Sequence, residues 1–119
     1  MAPRPEPAKP DVDPDAFSAL DLRVGRVLAV DPFPEARAPA WKLTVDFGPS
    51  IGERRTSAQI TNYAADDLVG RLVVGAVNLG VKRIAGFRSE FLVLGSIQAD
   101  GTVLLLDPDP AAAPGDPIA

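Results

Sequence analysis

Apolar and polar residues alternate in several short segments of the chain, which is the pattern of half-buried β-strands. Residues 41–47 are the clearest case, because one face carries Trp41, Leu43, Val45 and Phe47 while the other face is polar. Trp41 and Phe47 are therefore expected in the core. Five further segments predict strands, at residues 21–30, 54–60, 71–77, 90–97 and 102–106.

The connections between these segments carry turn residues. Glycine and proline at residues 48–52 predict a hairpin, and Asp100-Gly101 predicts another. Residues 61–70 predict one helical turn, ended by Gly70. Five or six short strands with tight turns favour an all-β fold, a five-stranded oligonucleotide/oligosaccharide-binding (OB) barrel. The alternation of the first strand slips at Gly25, which predicts a β-bulge or a sharp bend there.

The two ends of the chain differ from this middle part. Residues 1–13 are rich in proline and predict a disordered lead-in to a single domain at residues 14–119. A short helix follows, with Asp13 as a possible N-cap. Its Phe17 and Leu20 share one face and need a partner surface, either the barrel or a second chain. The proline-rich tail after residue 106 is expected to lie extended on the surface.

Composition narrows the possible functions. The chain has no Cys and no His, so cysteine–zinc sites, disulfides and the commonest general base are excluded. No apolar run approaches the ~20 residues needed to cross a bilayer. No Gly-rich phosphate loop with Lys-Ser/Thr occurs. These features predict a cytoplasmic protein without membrane insertion, catalysis, cofactor or ATP site.

The distribution of charge says more than the net charge of −4. Residues 21–95 hold ten Lys/Arg and eight Asp/Glu, while the remaining residues hold two Lys/Arg and eight Asp/Glu. The middle of the chain is therefore mildly basic and the ends are acidic. This asymmetry permits an anionic partner such as nucleic acid without establishing one.

The basic residues concentrate in one connection between two apolar strands. Lys82, Arg83 and Arg88 lie there with Gly80 and Gly86, so the sequence predicts a cationic loop held at both ends. Such a loop could contact phosphates, or the carboxylates and carbonyls of a peptide. The alternative is a solvated loop that keeps the surface soluble.

Several residues near this loop are further candidates for ligand contact, each with a structural alternative. The polar ones are Ser89, Gln59 and Asn78, which could instead satisfy backbone groups at strand ends. The aromatic ones are Phe33, Phe87 and Phe91, which could instead cover the barrel ends. Arg54 and Arg55 are adjacent, so one is expected on the basic surface and the other on the opposite face. Ser89 is not expected to act as a nucleophile, because the chain has no His and Lys82 is the only plausible base nearby.

Six blocks of sequence together resemble a known family. They are Asp21-Leu-Arg-Val-Gly-Arg-Val, Phe33-Pro-Glu-Ala-Arg37, Lys42-Leu-Thr-Val-Asp-Phe-Gly48, Ser57-Ala-Gln-Ile-Thr61, Val77-Asn78 and Lys82-Arg-Ile-Ala-Gly-Phe-Arg-Ser-Glu-Phe-Leu-Val-Leu-Gly95. In this order they resemble the stand-alone tRNA-binding-domain family (the EMAP-II-like barrel), and within it the branch of CsaA-type secretion chaperones. The resemblance covers about residues 17–118.

The resemblance implies an OB barrel that forms a homodimer through its N-terminal helix and C-terminal extension. It also implies two binding activities, one for tRNA and one for unfolded or export-destined polypeptides, without catalysis or a cofactor. The tRNA-binding relatives typically have glycine and methionine after the serine of the loop, where this chain has Glu90 and Phe91. This departure favours an ATP-independent chaperone for unfolded polypeptides and preproteins. The alternative is a tRNA-binding module that uses the same surface.

Overall fold

The computed structural model describes residues 6–119, so the first five residues of the predicted lead-in lie outside the described part. Two single-turn helices and nine strands occupy this part. In chain order they are α1 (Asp15–Ser18), β1 (Leu22–Pro32), β2 (Trp41–Asp46), β3 (Glu53–Ala58), α2 (Ala65–Leu68), β4 (Leu72–Ala76), β5 (Lys82–Ile84), β6 (Phe87–Ser89), β7 (Leu92–Val93), β8 (Gly95–Ile97) and β9 (Val103–Leu105). Within residues 6–119 no helix has the length and apolar character needed to cross a membrane.

Five strands form one antiparallel sheet in the order β3-β2-β1-β4-β7. The sheet curls until its two outer strands approach each other. There the Glu90 N–H donates to the Arg55 carbonyl at 2.7 Å, and the Thr56 hydroxyl donates to the Phe91 carbonyl at 2.7 Å. These contacts make a nearly closed five-stranded barrel, which confirms the predicted all-β fold.

The core fills the inside of this barrel with the apolar face of β2 at its centre. Leu43, Val45 and Phe47 have no exposed surface, as their alternation predicted. Trp41 is half-buried on the same face, and its indole N–H donates to the Tyr63 carbonyl at 3.0 Å. The rest of the core cluster is Val27, Ala58, Ile60, Leu68, Val73, Val77, Phe91 and Leu105.

The prediction of a bulge at Gly25 was wrong. Gly25 pairs regularly with Val73 of β4, and the register of β1 against β2 shifts between Val27 and Ala29. Gly25 has another role, because a Cβ built there would lie 2.5–2.9 Å from side-chain atoms of Val45 and Phe47. A glycine inside an alternating strand can mark close packing as well as a bulge.

The connection between residues 77 and 91, predicted as a loop, contains the β5–β6 hairpin. The single strand predicted at residues 90–97 is divided as well. Its first part, β7, pairs with β4, whereas β8 leaves the sheet to pair with β9. The Asp100-Gly101 hairpin is confirmed, and the Thr102 N–H donates to the Asp100 carboxylate at 2.9 Å, which lowers the pKa of that carboxyl.

The two ends of the described chain differ in how they meet β1. The N-terminal end leads through α1 into β1, and the Asp13 carboxylate accepts a hydrogen bond from the Asp15 N–H at 2.9 Å at the start of this helix. Only the end of the tail, residues 115–118, runs along β1, and turns at residues 110–111 and 114–115 interrupt the extended form that was predicted. The Gly115 N–H donates to the Val24 carbonyl at 2.8 Å, and the Ile118 N–H donates to the Leu22 carbonyl at 2.9 Å.

The fold yields a stability test at Gly75 of β4. A Cβ built there would lie 2.7 Å from the Phe47 ring and 3.0 Å from the Phe91 ring. Gly75→Ala should lower the free energy of unfolding by about 1–3 kcal/mol, because the added methyl overpacks a full core. Urea denaturation followed by circular dichroism measures this change.

The control is the same substitution in a Phe47→Leu background, where the smaller side chain makes room for the methyl. Gly75→Ala should cost less there, and the double-mutant cycle gives the coupling between the two positions. Equal costs in both backgrounds would contradict the packing argument.

Candidate ligand-binding surface

The β5–β6 hairpin carries the basic residues. Its two turn residues both have positive φ, 47° at Ala85 and 81° at Gly86, as in the type I′ turns that suit the twist of hairpins. The turn places Arg83 directly opposite Arg88, and Lys82 opposite Ser89. The structure therefore places the three predicted cations on one hairpin, with Lys82 on the face that carries Ser89 and with Arg83 and Arg88 on the opposite face.

Arg83 and Arg88 form a like-charged pair across the two strands. Both are exposed, and within residues 6–119 neither has a carboxylate at ion-pair distance. Like charges directly opposite on a β-ribbon are destabilising. An anion bound between the two guanidinium groups would relieve the repulsion, so this pair is suited to a phosphate or carboxylate.

A cluster of aromatic rings and cations anchors the hairpin to the barrel. Phe87 packs edge-on against Phe33, with ring centroids 5.5 Å apart. The Lys42 ammonium lies 4.7 Å and 5.1 Å from the centroids of the Phe33 and Phe87 rings, and the Arg55 guanidinium lies 4.8 Å from that of Phe87. Phe33 is buried and Phe87 half-buried, so these rings stabilise the position of the hairpin.

The structure also separates the two adjacent arginines of β3. Arg55 lies on the outer face, over the Phe87 ring. Arg54 points to the other side, where its guanidinium lies 3.4 Å from the Val77 carbonyl. Arg55, and not the Arg54 included among the candidates, therefore belongs to the hairpin surface.

A cavity of about 470 Å³ lies between β3 and the hairpin. Its walls are mostly apolar, and two of the wall residues, Leu79 and Leu92, are more than half exposed, at 56% and 53%. Gln59 and Lys82 also line it. The remaining lining residues are Thr56, Ser57, Ala58, Ile60, Gly80, Ile84, Ser89, Phe91, Val93 and Val103.

Ser89 and Phe91 contribute to this cavity as parts of its wall. Ser89 is buried and its hydroxyl lies 2.7 Å from the Thr56 hydroxyl. Phe91 is buried as well, with its ring 4.8 Å from that of Phe47 in an edge-to-face contact. Both candidates are thus engaged by neighbours within the chain.

Asn78 and Glu90 are engaged by the backbone. The Asn78 side chain accepts from the Asp21 N–H and donates to the Ala19 carbonyl, both at 2.8 Å, which fastens the end of α1 to the barrel. The Glu90 carboxylate accepts from the Arg55 N–H at 3.0 Å. Its charge is therefore directed at a strand edge and not at the hairpin arginines.

Phe17 and Leu20 lie on or just after α1 and are exposed by 49% and 42%. No residue of α1 is buried in this chain. The barrel therefore does not provide the partner surface that these residues were expected to need. Among residues 6–119 no group of three or more Asp and Glu residues could hold a metal ion.

Sequence reasoning missed three residues of this surface, Lys42, Leu79 and Leu92, and left open which of Arg54 and Arg55 belongs to it. Lys42 was assigned only to the polar face of its strand, and the cation–π contacts depend on where the hairpin folds back. Leu79 had a visible signal, because it is an apolar residue within a glycine-containing connection. Such a residue is either packed or available to a ligand.

Comparisons with known proteins find relatives for almost the whole of this chain. The family model described as "Putative tRNA binding domain" matches residues 22–117. The chain is 39% identical over 110 residues to methionine–tRNA ligase 1 of Sorangium cellulosum, covering 92% of the chain and 16% of the ligase. It is 34% identical over 117 residues to a methionine–tRNA ligase of Xylella fastidiosa, covering 97% of the chain and 16% of the ligase. The chain thus spans about a sixth of the length of these relatives.

Solved structures of single-domain proteins match over their whole length. The CsaA chaperone protein of Picrophilus torridus is 48% identical, with a TM-score of 0.87, covering 92% of this chain and all of that one. Chaperone CsaA of Bacillus anthracis is 43% identical, with the same TM-score and coverage. A protein described as related to MetRS from Pyrococcus horikoshii is 25% identical, with a TM-score of 0.83, covering 93% of this chain and all of that one.

The turn of the hairpin yields a prediction about Ala85. Alanine in the left-handed region carries a steric cost that asparagine largely avoids. Ala85→Asn should therefore raise the free energy of unfolding by about 0.5–1 kcal/mol. Urea denaturation followed by circular dichroism measures the change in the free energy of unfolding, and thermal unfolding measures the accompanying shift in Tm.

Gly86→Ala is the matched control at the next residue. No side chain would meet the added methyl, so its effect reports the backbone alone. It should lower the free energy of unfolding by about 1 kcal/mol. Stabilisation by Gly86→Ala, or destabilisation by Ala85→Asn, would contradict the left-handed turn.

Proposed function

The chain belongs to the tRNA-binding domain family, and from this premise we propose that it is a homodimeric, ATP-independent chaperone. In this proposal it binds extended, non-native polypeptides, export-destined ones included, in the cavity between β3 and the basic hairpin. The similarity to the two CsaA chaperones over their full length supports the choice of this activity within the family.

The observation that carries the proposal is the exposed apolar wall of the cavity. Leu79 and Leu92 leave more than half of their surface in contact with water although a barrel core is nearby. Covering such side chains is favourable by ~25 cal/mol per Å² of apolar surface. A non-native polypeptide supplies apolar side chains in many different sequences, so this wall suits a partner class rather than one partner.

The cations of the hairpin complement this apolar wall. Lys82 lines the cavity, whereas Arg83 and Arg88 lie on the opposite face of the hairpin. A carbonyl or carboxylate of a bound polypeptide would accept from Lys82, and a part of the polypeptide beyond the cavity would meet the arginine pair. Apolar contact gives the binding energy and the cations orient the polypeptide, and release follows from weak affinity without nucleotide hydrolysis.

Binding of tRNA is the second candidate, and the Arg83–Arg88 pair favours it. Two opposed guanidinium groups without carboxylate partners among the described residues suit successive phosphates. The relatives with a matching domain are named as methionine–tRNA ligases, which supports the same candidate. We do not propose the ligase activity, because the chain covers only 16% of those enzymes.

The homodimer is proposed from α1. Its exposed Phe17 and Leu20 form an apolar face that the barrel of the same chain leaves uncovered. Asn78 fixes the end of this helix to the barrel, so the face is held at a defined place. A second copy of the chain would cover it.

The two candidate ligands are separated by two double variants. Leu79→Ser with Leu92→Ser removes apolar wall, and Arg83→Ala with Arg88→Ala removes the hairpin pair. We expect the leucine variant to bind a permanently unfolded polypeptide, reduced and carboxymethylated α-lactalbumin, about tenfold or more weakly. The arginine variant should retain most of this binding. Fluorescence anisotropy of the labelled polypeptide measures both.

Labelled tRNA should respond in the opposite way. The arginine variant should bind it more weakly, and the slope of log affinity against log salt should flatten by about 1.5 for two lost phosphate contacts. The controls are Leu28→Ser with Val69→Ser for exposed apolar area, and Lys9→Ala with Arg26→Ala for charge. Tight, salt-sensitive tRNA binding together with polypeptide affinity unaffected by the leucine variant would favour the tRNA candidate.

The dimer has its own test in solution. Light scattering at micromolar concentration should give the mass of two 12.5 kDa chains. The double variant Phe17→Ser with Leu20→Ser should give the mass of a single chain. The Leu28→Ser, Val69→Ser control should stay dimeric. A monomeric mass for the unchanged protein would overturn the dimer while leaving the binding proposals to their own measurements.

A further inference from the structure

The outer edge of β3 is open along the cavity. β2 pairs with one edge of β3, from Asp46 opposite Glu53 to Trp41 opposite Ala58. At the other edge the contact is confined to Arg55, whose carbonyl accepts from the Glu90 N–H and whose N–H donates to the Glu90 carboxylate. Beyond Arg55, no strand of residues 6–119 pairs with this edge.

The orientation of Arg55 fixes which backbone groups face outward. In an antiparallel pair, residues alternate between directing both backbone groups at the partner strand and directing both away from it. Arg55 directs its groups away from β2, so Ser57 does as well, and Gln59 is the next residue of this series, just past the end of β3. Both Ser57 and Gln59 line the cavity. The cavity is therefore bordered by main-chain donors and acceptors at a spacing of about 7 Å.

These outward groups have little to bind within the described chain. No backbone partner is found for the Ser57 N–H or for the Gln59 N–H and carbonyl. The Ser57 carbonyl lies 3.3 Å from the Thr56 hydroxyl, but that hydroxyl has one proton and lies 2.7 Å from the Phe91 carbonyl. The shorter bond takes the proton, which leaves the Ser57 carbonyl available to another donor.

We infer that an extended segment of polypeptide binds here as an added strand, hydrogen-bonded to the β3 edge at Ser57 and Gln59. This inference rests on the proposed polypeptide binding and specifies how the ligand is held. Strand addition draws its affinity from main-chain hydrogen bonds, which every sequence offers, and its selectivity from alternate side chains. A cavity of about 470 Å³ beside the edge accommodates those side chains.

The walls predict which polypeptides bind best. Alternate side chains of the added strand face Leu79 and Leu92, so apolar residues at every second position are preferred. Lys82 is the cation that lines this cavity, while Arg83 and Arg88 are exposed on the opposite face of the hairpin. An acidic residue on the intervening positions complements Lys82. Nucleic acid lacks the alternating main-chain amide donors and acceptors, so the open edge favours a polypeptide.

The experiment uses a labelled nine-residue peptide, with leucine at alternate positions and two glutamates between them, and the full-length protein. Two modified peptides carry backbone N-methyl groups, one on the leucines and one on the intervening residues. An added strand directs only one of these sets at β3. One methylated peptide should therefore bind about tenfold or more weakly, and the other within about twofold of the parent peptide.

Amide hydrogen exchange measured by NMR locates the contact. The Ser57 and Gln59 amides should exchange rapidly in the free protein and slowly with the parent peptide bound. Thr56 and Ala58 serve as internal controls, because their amides point at β2 and should exchange slowly in both states.

The outcomes separate this inference from the proposed function. If the parent peptide binds but both methylated peptides bind equally well, or Ser57 gains no protection, strand addition is overturned and polypeptide binding stands. If neither the peptide nor unfolded α-lactalbumin binds, both are overturned. Protection of Ser57 with sensitivity to one methylation set alone supports strand addition.

Discussion

The barrel depends on the packing of one ring, that of Phe47, against bare backbone. Gly25 of β1 and Gly75 of β4 both lie where a Cβ would come within 3.0 Å of this ring. The two strands pair with each other, so the ring rests across neighbouring glycines on one side and touches Phe91 on another. Any larger residue at either glycine would push the ring outward and widen the barrel.

This packing determines where the closing strand lies. Phe91 must reach Phe47, and it brings with it the Ser89 hydroxyl and its own carbonyl, which both meet the Thr56 hydroxyl at 2.7 Å. The barrel is thus closed at Arg55 and Thr56 but nowhere further along β3. The cavity follows from the geometry of closure, because β3 continues past the contact while β7 is only two residues long.

The parts of the fold that could be predicted from the sequence are those governed by local periodicity. The alternation in residues 41–47 identified the central strand because solvent and core impose a period of two. Gly25 shows where local periodicity stops being informative, because glycine is favoured both at a bulge and at a site of close packing. Only the position of the Phe47 ring in the folded barrel shows that close packing is the reason here. The division between β7 and β8 was equally hidden, because a run of apolar residues does not reveal which partner each strand pairs with.

The charge of the candidate surface could be predicted from the sequence, but the contacts of its residues could not. Lys82, Arg83 and Arg88 stood out because glycines and cations coincide in one connection. The roles of Arg55 and Lys42 depend on Phe33 and Phe87 meeting across about fifty residues of chain, a contact between segments that no local pattern encodes. Asn78 and Ser89 stood out in the sequence as polar candidates, but the backbone and hydroxyl partners that engage them lie far away in sequence.

Glu90 acquires a different meaning once these partners are known. In the sequence, a glutamate beside a basic loop suggests that it partly neutralises the positive charge of the loop. Its carboxylate instead accepts from the Arg55 N–H while its own N–H donates to the Arg55 carbonyl, so the residue satisfies both groups of one position on the β3 edge. Glu90 thereby makes the two hydrogen bonds to Arg55 that a residue of a paired strand would otherwise make. The hairpin arginines keep their unneutralised charge, and the open edge begins two residues later at Ser57. Charge and edge are therefore separate features of one surface, and a ligand that uses both must present main-chain amides as well as anionic groups.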